Sequence, residues 1–287
     1  MCAGPSSSTS GKSRPLPWGV GRQDAELGMA HMELSDLLVA VPLGLLAGAL
    51  AGLLGIGGGL IFAPLLLWMG LPPHQALATS TFAIVPTALG GTVTHLRNRS
   101  IPGLQGAVIG LTAFVMGLFF SRLGRFADGW HLLLLQSLMY LVLTFTIRAE
   151  DEDQPPGESL LLPLLGLSAV GGVAGLAGGL LGLGGGLVMV PLMVRAFTVP
   201  IRLAIRFSSL AVVCSASAAS LQFLADGRGN GSMGLLLGCT AAIAAQWSAA
   251  RLDQVQPGTL ANLLRGLALV LALDSGRRAL QLALGLG

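Results

Sequence analysis

Residues 44–64 read GLLAGALAGLLGIGGGLIFAP, and residues 171–191 read GGVAGLAGGLLGLGGGLVMVP. An offset of 127 positions aligns the two glycine runs and the proline that ends each stretch. Each copy is an apolar segment with small residues at short intervals, then a glycine run, then an apolar piece too short to cross a bilayer. In a membrane protein, glycine-interrupted segments at matching places in two halves indicate a transport site. The stretch therefore predicts a duplicated chain with a site at its glycines.

The composition predicts a membrane protein. Hydrophobic residues make up 53% of the chain, charged residues make up 10%, and the mean hydropathy is +0.77. A soluble domain has roughly 25% charged residues. Between Leu37 and Leu96 only His74 and His95 can carry a side-chain charge near neutral pH, so this segment predicts more than one crossing of a ~30 Å hydrocarbon core. The net charge of +3 comes from arginines scattered at the ends of apolar runs, which indicates membrane flanks and no nucleic-acid-binding face.

We predict an all-α, polytopic integral membrane protein with about eight transmembrane helices in two homologous halves. Each half contains a glycine-broken helix and a short re-entrant or half-helix piece. The predicted divisions are a polar, disordered N-terminal segment (1–32), a first membrane repeat (33–148), an acidic proline-containing linker (149–158) and a second membrane repeat (159–287). If the short pieces do not cross the bilayer, the halves are parallel; if they do cross, the halves are inverted. The sequence leaves both arrangements open.

The apolar runs also predict individual helices. Ser35 or Asp36 is the expected N-cap of the first. The predicted helices cover residues 37–54, 60–69, 74–96, 104–121, 132–147, 159–181, 187–197, 201–224, 232–249 and 258–274. Asp274 is thus expected at the end of the last helix, and no carboxylate falls in the predicted membrane core.

Hydroxyl side chains recur at matching places in the two polar helices that follow the short pieces. Thr79, Ser80 and Thr81 in the first half correspond to the region of Ser208 and Ser209 in the second. Their recurrence favours the lining of a polar cavity, although membrane-helix hydroxyls also bond to their own backbone one turn earlier. Pro86 would free a backbone carbonyl and help to open such a cavity, but only in the first half.

Two arginines and one histidine are further candidates. Arg206 and Arg265 lie inside predicted helices, where they either snorkel to the membrane surface or bind an anion. Arg206 is the stronger candidate because it adjoins the serine pair. His95 is either an interfacial histidine or a proton-handling group.

No sequence pattern predicts an enzyme, a cofactor or a metal site. Cys2, Cys214 and Cys239 have no metal-ligand spacing, and G-x-S-x-G and H-E-x-x-H motifs are absent from the sequence. Neither glycine run forms a nucleotide-binding loop, since G-x-G-x-x-G and a Walker lysine are missing.

The glycine runs, the pieces that follow them and the stretch ATSTFAIVPTALGG at residues 78–91 resemble the TauE/SafE sulfite exporter family of membrane proteins. The resemblance covers about residues 33–275. It implies a multi-pass protein of the bacterial inner membrane that exports a small sulfur-containing anion such as sulfite or an organosulfonate. The sequence departs from the family pattern at Phe207, Ser208 and Ser209, which replace an A-T-S-like triplet and follow Arg206.

These observations predict a secondary transporter or permease for a small anion, and the alternative is a membrane scaffold or assembly factor without transport. The expected partners are the anion and membrane lipid, and a homo-oligomer is left open. The predicted substrate-binding residues are Gly57, Gly58, Gly59, Thr79, Ser80, Thr81, Gly184, Gly185, Gly186, Arg206, Ser208 and Ser209. Valine at Gly58 or Gly185 is expected to abolish transport while the protein still inserts, whereas alanine at Gly48 or Gly175 is expected to be mild.

Overall fold

The computed structural model describes residues 34–98, 102–146 and 164–284, and within these ranges it contains ten α-helices and no β-strand. In chain order the helices are α1 Leu34–Leu54, α2 Gly59–Trp68, α3 Pro73–Arg97, α4 Gly103–Leu123, α5 Gly129–Thr146, α6 Leu164–Leu181, α7 Gly186–Phe197, α8 Ile201–Ala225, α9 Gly231–Ala249 and α10 Pro257–Ala283. Single 3₁₀ turns follow α4 and α9. Prolines at the first positions of α3 and α10 suit helix starts, because those N–H groups have no intrahelical partner.

Six of the described helices are long and apolar enough to cross a membrane, namely α3, α4, α6, α8, α9 and α10. Large apolar side chains also cover the outer surface: Leu104 is 71% exposed, Leu111 66% and Phe145 74%. A soluble monomer rarely exposes such continuous apolar surface. The chain is therefore a multi-pass membrane protein.

The helices α2 and α7 are too short to span the bilayer. They contain 10 and 12 residues, which corresponds to roughly 15–18 Å, about half of the hydrocarbon core. Each begins directly after a glycine turn and packs against the long helix that follows it, α3 or α8. Both short helices are largely buried, so protein surrounds the non-helical backbone before them.

Helices from different halves of the chain pack along one another. The first helix, α1, packs against α9, where added Cβ atoms at Gly48 and Gly52 would meet the backbones of Ala241 and Ala245. The two helices therefore touch backbone to backbone and run in the same direction.

A matching contact joins α6 to α4. Added Cβ atoms at Gly171 and Gly179 would meet the carbonyls of Ile109 and Gly117, again in the same order along both helices. Small residues allow this close approach, which is how helices associate in membranes without a hydrophobic driving force.

The directions of the two long central helices follow from their hydrogen bonds. The helix α3 runs parallel to α9, because the Thr87 hydroxyl donates to the Gly238 carbonyl and the Thr94 hydroxyl to the Gln246 carbonyl. The loop after α8 lies on the start of α3, where the Asn230 N–H donates to Thr79 Oγ at 2.9 Å.

The contact between Asn230 and Thr79 places the end of α8 beside the start of α3, so these two helices are antiparallel. The contacts between α4 and α8 place Gly110 beside Cys214 and Gly117 beside Ala218, so these two helices are parallel. It follows that α1, α3 and α9 point one way, whereas α4, α6 and α8 point the other way.

Two local expectations were wrong. Helix α1 already includes Ser35 and Asp36, so neither is its N-cap. Helix α10 continues past Asp274 to Ala283, because Ser275 and Gly276 do not stop it and Arg277 and Arg278 pair with the carboxylate one turn earlier. The N-terminal segment up to residue 33 and the linker at 149–158 lie outside the described residues.

Candidate functional site

A left-handed turn joins α1 to α2. The φ angles of Gly55, Gly57 and Gly58 are 64°, 69° and 80°. A residue with a Cβ atom adopts this region only with strain, so the glycines allow the chain to reverse inside the bundle. We call residues 55–58 turn 1.

The second copy has the same geometry between α6 and α7. The φ angles of Gly182, Gly184 and Gly185 are 63°, 74° and 79°. We call residues 182–185 turn 2. Corresponding glycines of the two copies thus share the left-handed conformation.

The two turns meet at the middle of the long helices α3 and α8. Gly57 of turn 1 and Gly184 of turn 2 both lie against Ile84 and Val212, which are the midpoints of α3 and α8. A Cβ atom added at Gly59 would be 2.8 Å from the Leu183 carbonyl oxygen. The backbones of the two turns are therefore nearly in contact.

One serine holds each turn to the other half of the chain. The Ser208 hydroxyl lies 2.7 Å from the Gly55 carbonyl oxygen and 3.3 Å from that of Gly186. The Ser80 hydroxyl lies 2.8 Å from the Leu77 carbonyl oxygen and 3.2 Å from that of Gly182. Both serines are completely buried. They connect α8 to turn 1 and α3 to turn 2.

The other predicted hydroxyls have different partners. Thr81 donates to the Leu77 carbonyl and Ser209 to the Ile205 carbonyl, each four residues earlier. These two hydroxyls thus form the local backbone bonds of membrane helices. Thr79 instead accepts the bond from the loop after α8, away from the turns.

The N-termini of α2 and α7 point into this central region. Gly58 and Gly185 are their N-caps, and neither helix has a side-chain hydrogen bond at its cap. The first N–H groups of a helix have no intrahelical acceptor, and the helix dipole places about half a positive charge there. Two such ends near each other form a positive region that does not depend on a cationic side chain.

Arg206 lies in α8 one residue after Ile205, whose carbonyl accepts from Ser209. Its side chain is half-buried. A separation of six residues along α8 places it about 9 Å from the level of Val212. Arg206 therefore lies on the side where α8 begins, and its neighbour Ile205 contacts Gly55 of turn 1.

The structure does not bring His95 to the turns. His95 is buried in the last turn of α3, while its neighbour Arg97 is exposed. Eleven residues separate His95 from Ile84, which corresponds to about 16 Å along the helix.

Pro86 also lies away from the turns, against Gly238 of α9, and α3 continues through it.

One residue at the turns was missed from sequence. The Ser215 hydroxyl donates to the Gly184 carbonyl at 2.9 Å. Its place in the repeat corresponds to Thr87, which bonds to α9 instead. The signal was a further hydroxyl about two turns beyond Ser208 and Ser209, but its target carbonyl could not be read from sequence.

The structure contradicts the expectation that alanine is mild at Gly48 and Gly175. A Cβ atom at Gly48 would overlap the Ala241 backbone, and one at Gly175 would be 2.7 Å from the Ala113 carbonyl oxygen. These helix glycines are needed for packing. Gly185 is needed for packing as well, because its Cβ would overlap the backbone of Ala174.

Gly58 differs, since the three atoms nearest to its Cβ would all belong to the Phe62 ring, the first at 2.7 Å, and none to the backbone of another helix. A small side chain at Gly58 therefore tests the turn without pushing two helices apart. Within the described ranges, no group of three or more His, Cys, Asp or Glu side chains is arranged to hold a metal ion.

Comparison with known proteins gives a consistent match. The sequence model described as "Sulfite exporter TauE/SafE" matches residues 40–274. A "Probable membrane transporter protein" of Xylella fastidiosa (strain 9a5c) is 29% identical over 186 residues, which is 63% of this chain and 71% of the relative. The "Probable membrane transporter protein YunE" of Bacillus subtilis (strain 168) is 27% identical over 256 residues, or 80% of this chain and 93% of that protein.

A plant protein is similar over a shorter segment. The "Sulfite exporter TauE/SafE family protein 3" of Arabidopsis thaliana is 42% identical over 75 residues, which is 26% of this chain and 16% of the plant protein. No solved structure matches the chain.

Proposed function

We propose, from the premise that this chain belongs to the TauE/SafE sulfite exporter family of membrane transporters, that it is a secondary transporter for a small oxyanion. In this proposal the anion binds where turns 1 and 2 meet. The observation that carries the proposal is the pair of uncapped helix N-termini, at Gly58 and Gly185, in the middle of the bundle. Helix N-termini bind anions through their N–H groups and their dipole.

The helix directions support an inverted repeat, one of the two arrangements left open by the sequence, although α2 and α7 are too short to cross the bilayer as that arrangement was expected to require. Because α1 and α3 point the same way, α2 only has to lead the chain from turn 1 back to the start of α3. Helices α1 and α3 point opposite to their counterparts α6 and α8. Each half would then contribute four long helices and one half-length helix, which gives eight long helices in all. Transporters with inverted repeats carry their substrate at the repeat interface near the bilayer midplane, next to broken helices.

The repeats would be residues 33–148 and 159–287. They are not separate bundles in space, because α1 packs on α9 and α6 packs on α4. Small relative movements of the halves would change the surroundings of both turns together. This coupling suits alternating access, in which one site opens to each side of the membrane in turn.

The substrate class follows from the charge of the site. Backbone N–H groups recognise oxygen atoms of an anion, and the glycines have no side chains of their own that would cover these groups. Arg206 adds a guanidinium on one side of the turns, a geometry suited to sulfite or the sulfonate group of an organosulfonate. We assign these anions as substrates and export as the direction on the basis of the family.

Substrate flux into liposomes that contain the purified protein tests this function. We expect sulfite and a small organosulfonate to cross faster than in protein-free liposomes, and faster than chloride or a zwitterionic amino acid. Equal rates with and without protein for every oxyanion would overturn the transporter proposal and favour a scaffold role.

A further inference from the structure

A groove lies on the outside of the bundle between the C-terminal ends of α3 and α9. It encloses about 390 Å³ and is lined by polar and apolar side chains. Val93, Ile243 and Trp247 form its outer walls and are 47%, 70% and 59% exposed. Arg97 and Gln246 lie toward the helix ends, and Arg97 is the only ionisable residue among those that line the groove.

The groove is positively charged. Arg97 is exposed and forms no ion pair within the described part of the chain. Arg251 follows α9 directly and stacks its guanidinium on the Trp247 ring, 3.7 Å from the ring centroid. Arginine and tryptophan at the end of an apolar helix mark the level of lipid headgroups.

At the corresponding place between α4 and α8, the side chains bond to one another. Arg122 stands where the first groove has Ala250, and its Nε donates to Gln222 Oε1 at 2.9 Å. Gln222 in turn donates to Asp226, which takes the place of Asn98. One groove thus has an internal carboxylate beside its arginine, whereas the other has an arginine and an open cavity.

We propose that the groove between α3 and α9 binds one phospholipid with an anionic headgroup. The phosphate lies at Arg97, close to Arg251, and an acyl chain follows the exposed side chains of Val93 and Ile243. Charge complementarity selects this occupant, because basic pockets between membrane helices bind anionic headgroups. The apolar side chains of Val93 and Ile243 suit the acyl chain of the same lipid. The lipid would bridge the two halves of the chain, because α3 and α9 come from different halves.

Native mass spectrometry of the detergent-purified full chain tests the proposal. Phosphatidylglycerol or phosphatidylcholine with the same acyl chains is added, and the lipid-bound fraction is measured. We expect the unaltered protein to retain phosphatidylglycerol at least about fivefold better. Arg97→Gln should remove this preference and Arg97→Lys should keep most of it.

Two further variants separate the charge from the cavity. Ala250→Leu fills the groove without changing its charge and should lower retention of both lipids. Arg277→Gln removes an exposed charge at the other end of α3, since the neighbouring Arg278 contacts the Leu67 carbonyl near the start of α3, so it should leave retention unchanged.

Three outcomes would overturn the lipid site. The first is an unchanged lipid preference in Arg97→Gln, and the second is unchanged retention in Ala250→Leu. The third is displacement of phosphatidylglycerol by inorganic phosphate or sulfite at millimolar concentration, which would identify a site for a free anion. If Arg97→Gln fails to fold, Ala250→Leu and the competition decide alone. The result is independent of transport, since a lipid site can be present whether or not an anion crosses.

Discussion

In the middle of the molecule, corresponding positions of the predicted repeat make matching contacts, whereas at the helix ends they differ. Ser208 bonds to turn 1 and Ser80 to turn 2, and both turns contact the midpoints of α3 and α8. At the ends, Arg122 is bonded to Gln222 in one groove, while Ala250 leaves the other groove open. The contacts at the two turns are thus alike in both halves, whereas the side-chain contacts at the helix ends differ between them.

The largest effect is expected for Arg228→Gln, in the loop between α8 and α9. Arg228 is 6% exposed, pairs with Asp226 at 2.7 Å, donates to the Ser121 carbonyl and stacks on Phe223. Removing one partner of a buried pair leaves the other uncompensated, and because Asp226 is 17% exposed we expect the lower end of the usual range, a loss of about 3 kcal/mol. Thermal unfolding in detergent measures it.

The control for this prediction is Arg277→Gln. Arg277 pairs with Asp274 but is 62% exposed, so its loss should change stability by only about 0–1 kcal/mol. Equal unfolding temperatures for the two variants would show that the buried pair of Arg228 stabilises the protein no more than the exposed pair of Arg277.

The next effect concerns the close contacts between the halves. Gly48→Ala and Gly175→Ala should each destabilise the protein by about 1–3 kcal/mol, because the new Cβ would force α1 from α9 or α6 from α4. Size-exclusion chromatography of membrane extracts measures the folded yield. Gly258→Ala is the control, since a Cβ there meets open space. Yields as high as those of Gly258→Ala would show that these glycines are not required for packing.

A smaller effect, on flux alone, is expected for Arg206→Gln. Loss of the guanidinium beside turn 1 should lower oxyanion flux per folded protein about tenfold, which corresponds to about 1.4 kcal/mol. Arg277→Gln removes the same charge far from the turns and should keep normal flux. If both variants retain full flux, Arg206 only extends to the membrane surface.

The smallest effect compares the two serines. Ser208→Ala and Ser80→Ala should each cost about 1 kcal/mol, because a buried carbonyl loses its donor. Ser208 should matter more, since its bond to turn 1 is 2.7 Å and that of Ser80 to turn 2 is 3.2 Å. Thermal unfolding of both variants in parallel checks the order, and a larger loss for Ser80→Ala would contradict it.

Local features of the fold could be predicted from the sequence. Prolines and glycine runs mark chain breaks strongly, so the predicted limits of the short helices and of α3 and α8 agree with the structure within about two residues. Asp274 lies inside α10 and not at its end, where the sequence predicted it. Its charge is instead satisfied by Arg277 and Arg278 on the same helix.

Long-range contacts could not be predicted. Gly48 and Gly57 are both glycines in one stretch, yet one is needed for helix contact and the other for a left-handed turn. Likewise, Thr79 and Ser80 are adjacent, but Thr79 contacts the loop after α8 and Ser80 contacts turn 2. Such differences depend on which helix lies opposite, and sequence periodicity does not contain that information.

The most direct test of the proposed site compares Gly58→Ala with Gly70→Ala. Both glycines have positive φ, 80° and 87°, so alanine introduces similar backbone strain at each. Gly58 is the N-cap of α2 at the proposed anion site, whereas Gly70 is exposed with open space around it. Sulfite flux and folded protein are measured in the same liposomes. The account predicts that flux per folded protein falls at least about tenfold for Gly58→Ala and stays unchanged for Gly70→Ala. A loss of flux that only follows the loss of folded protein in both variants would contradict it.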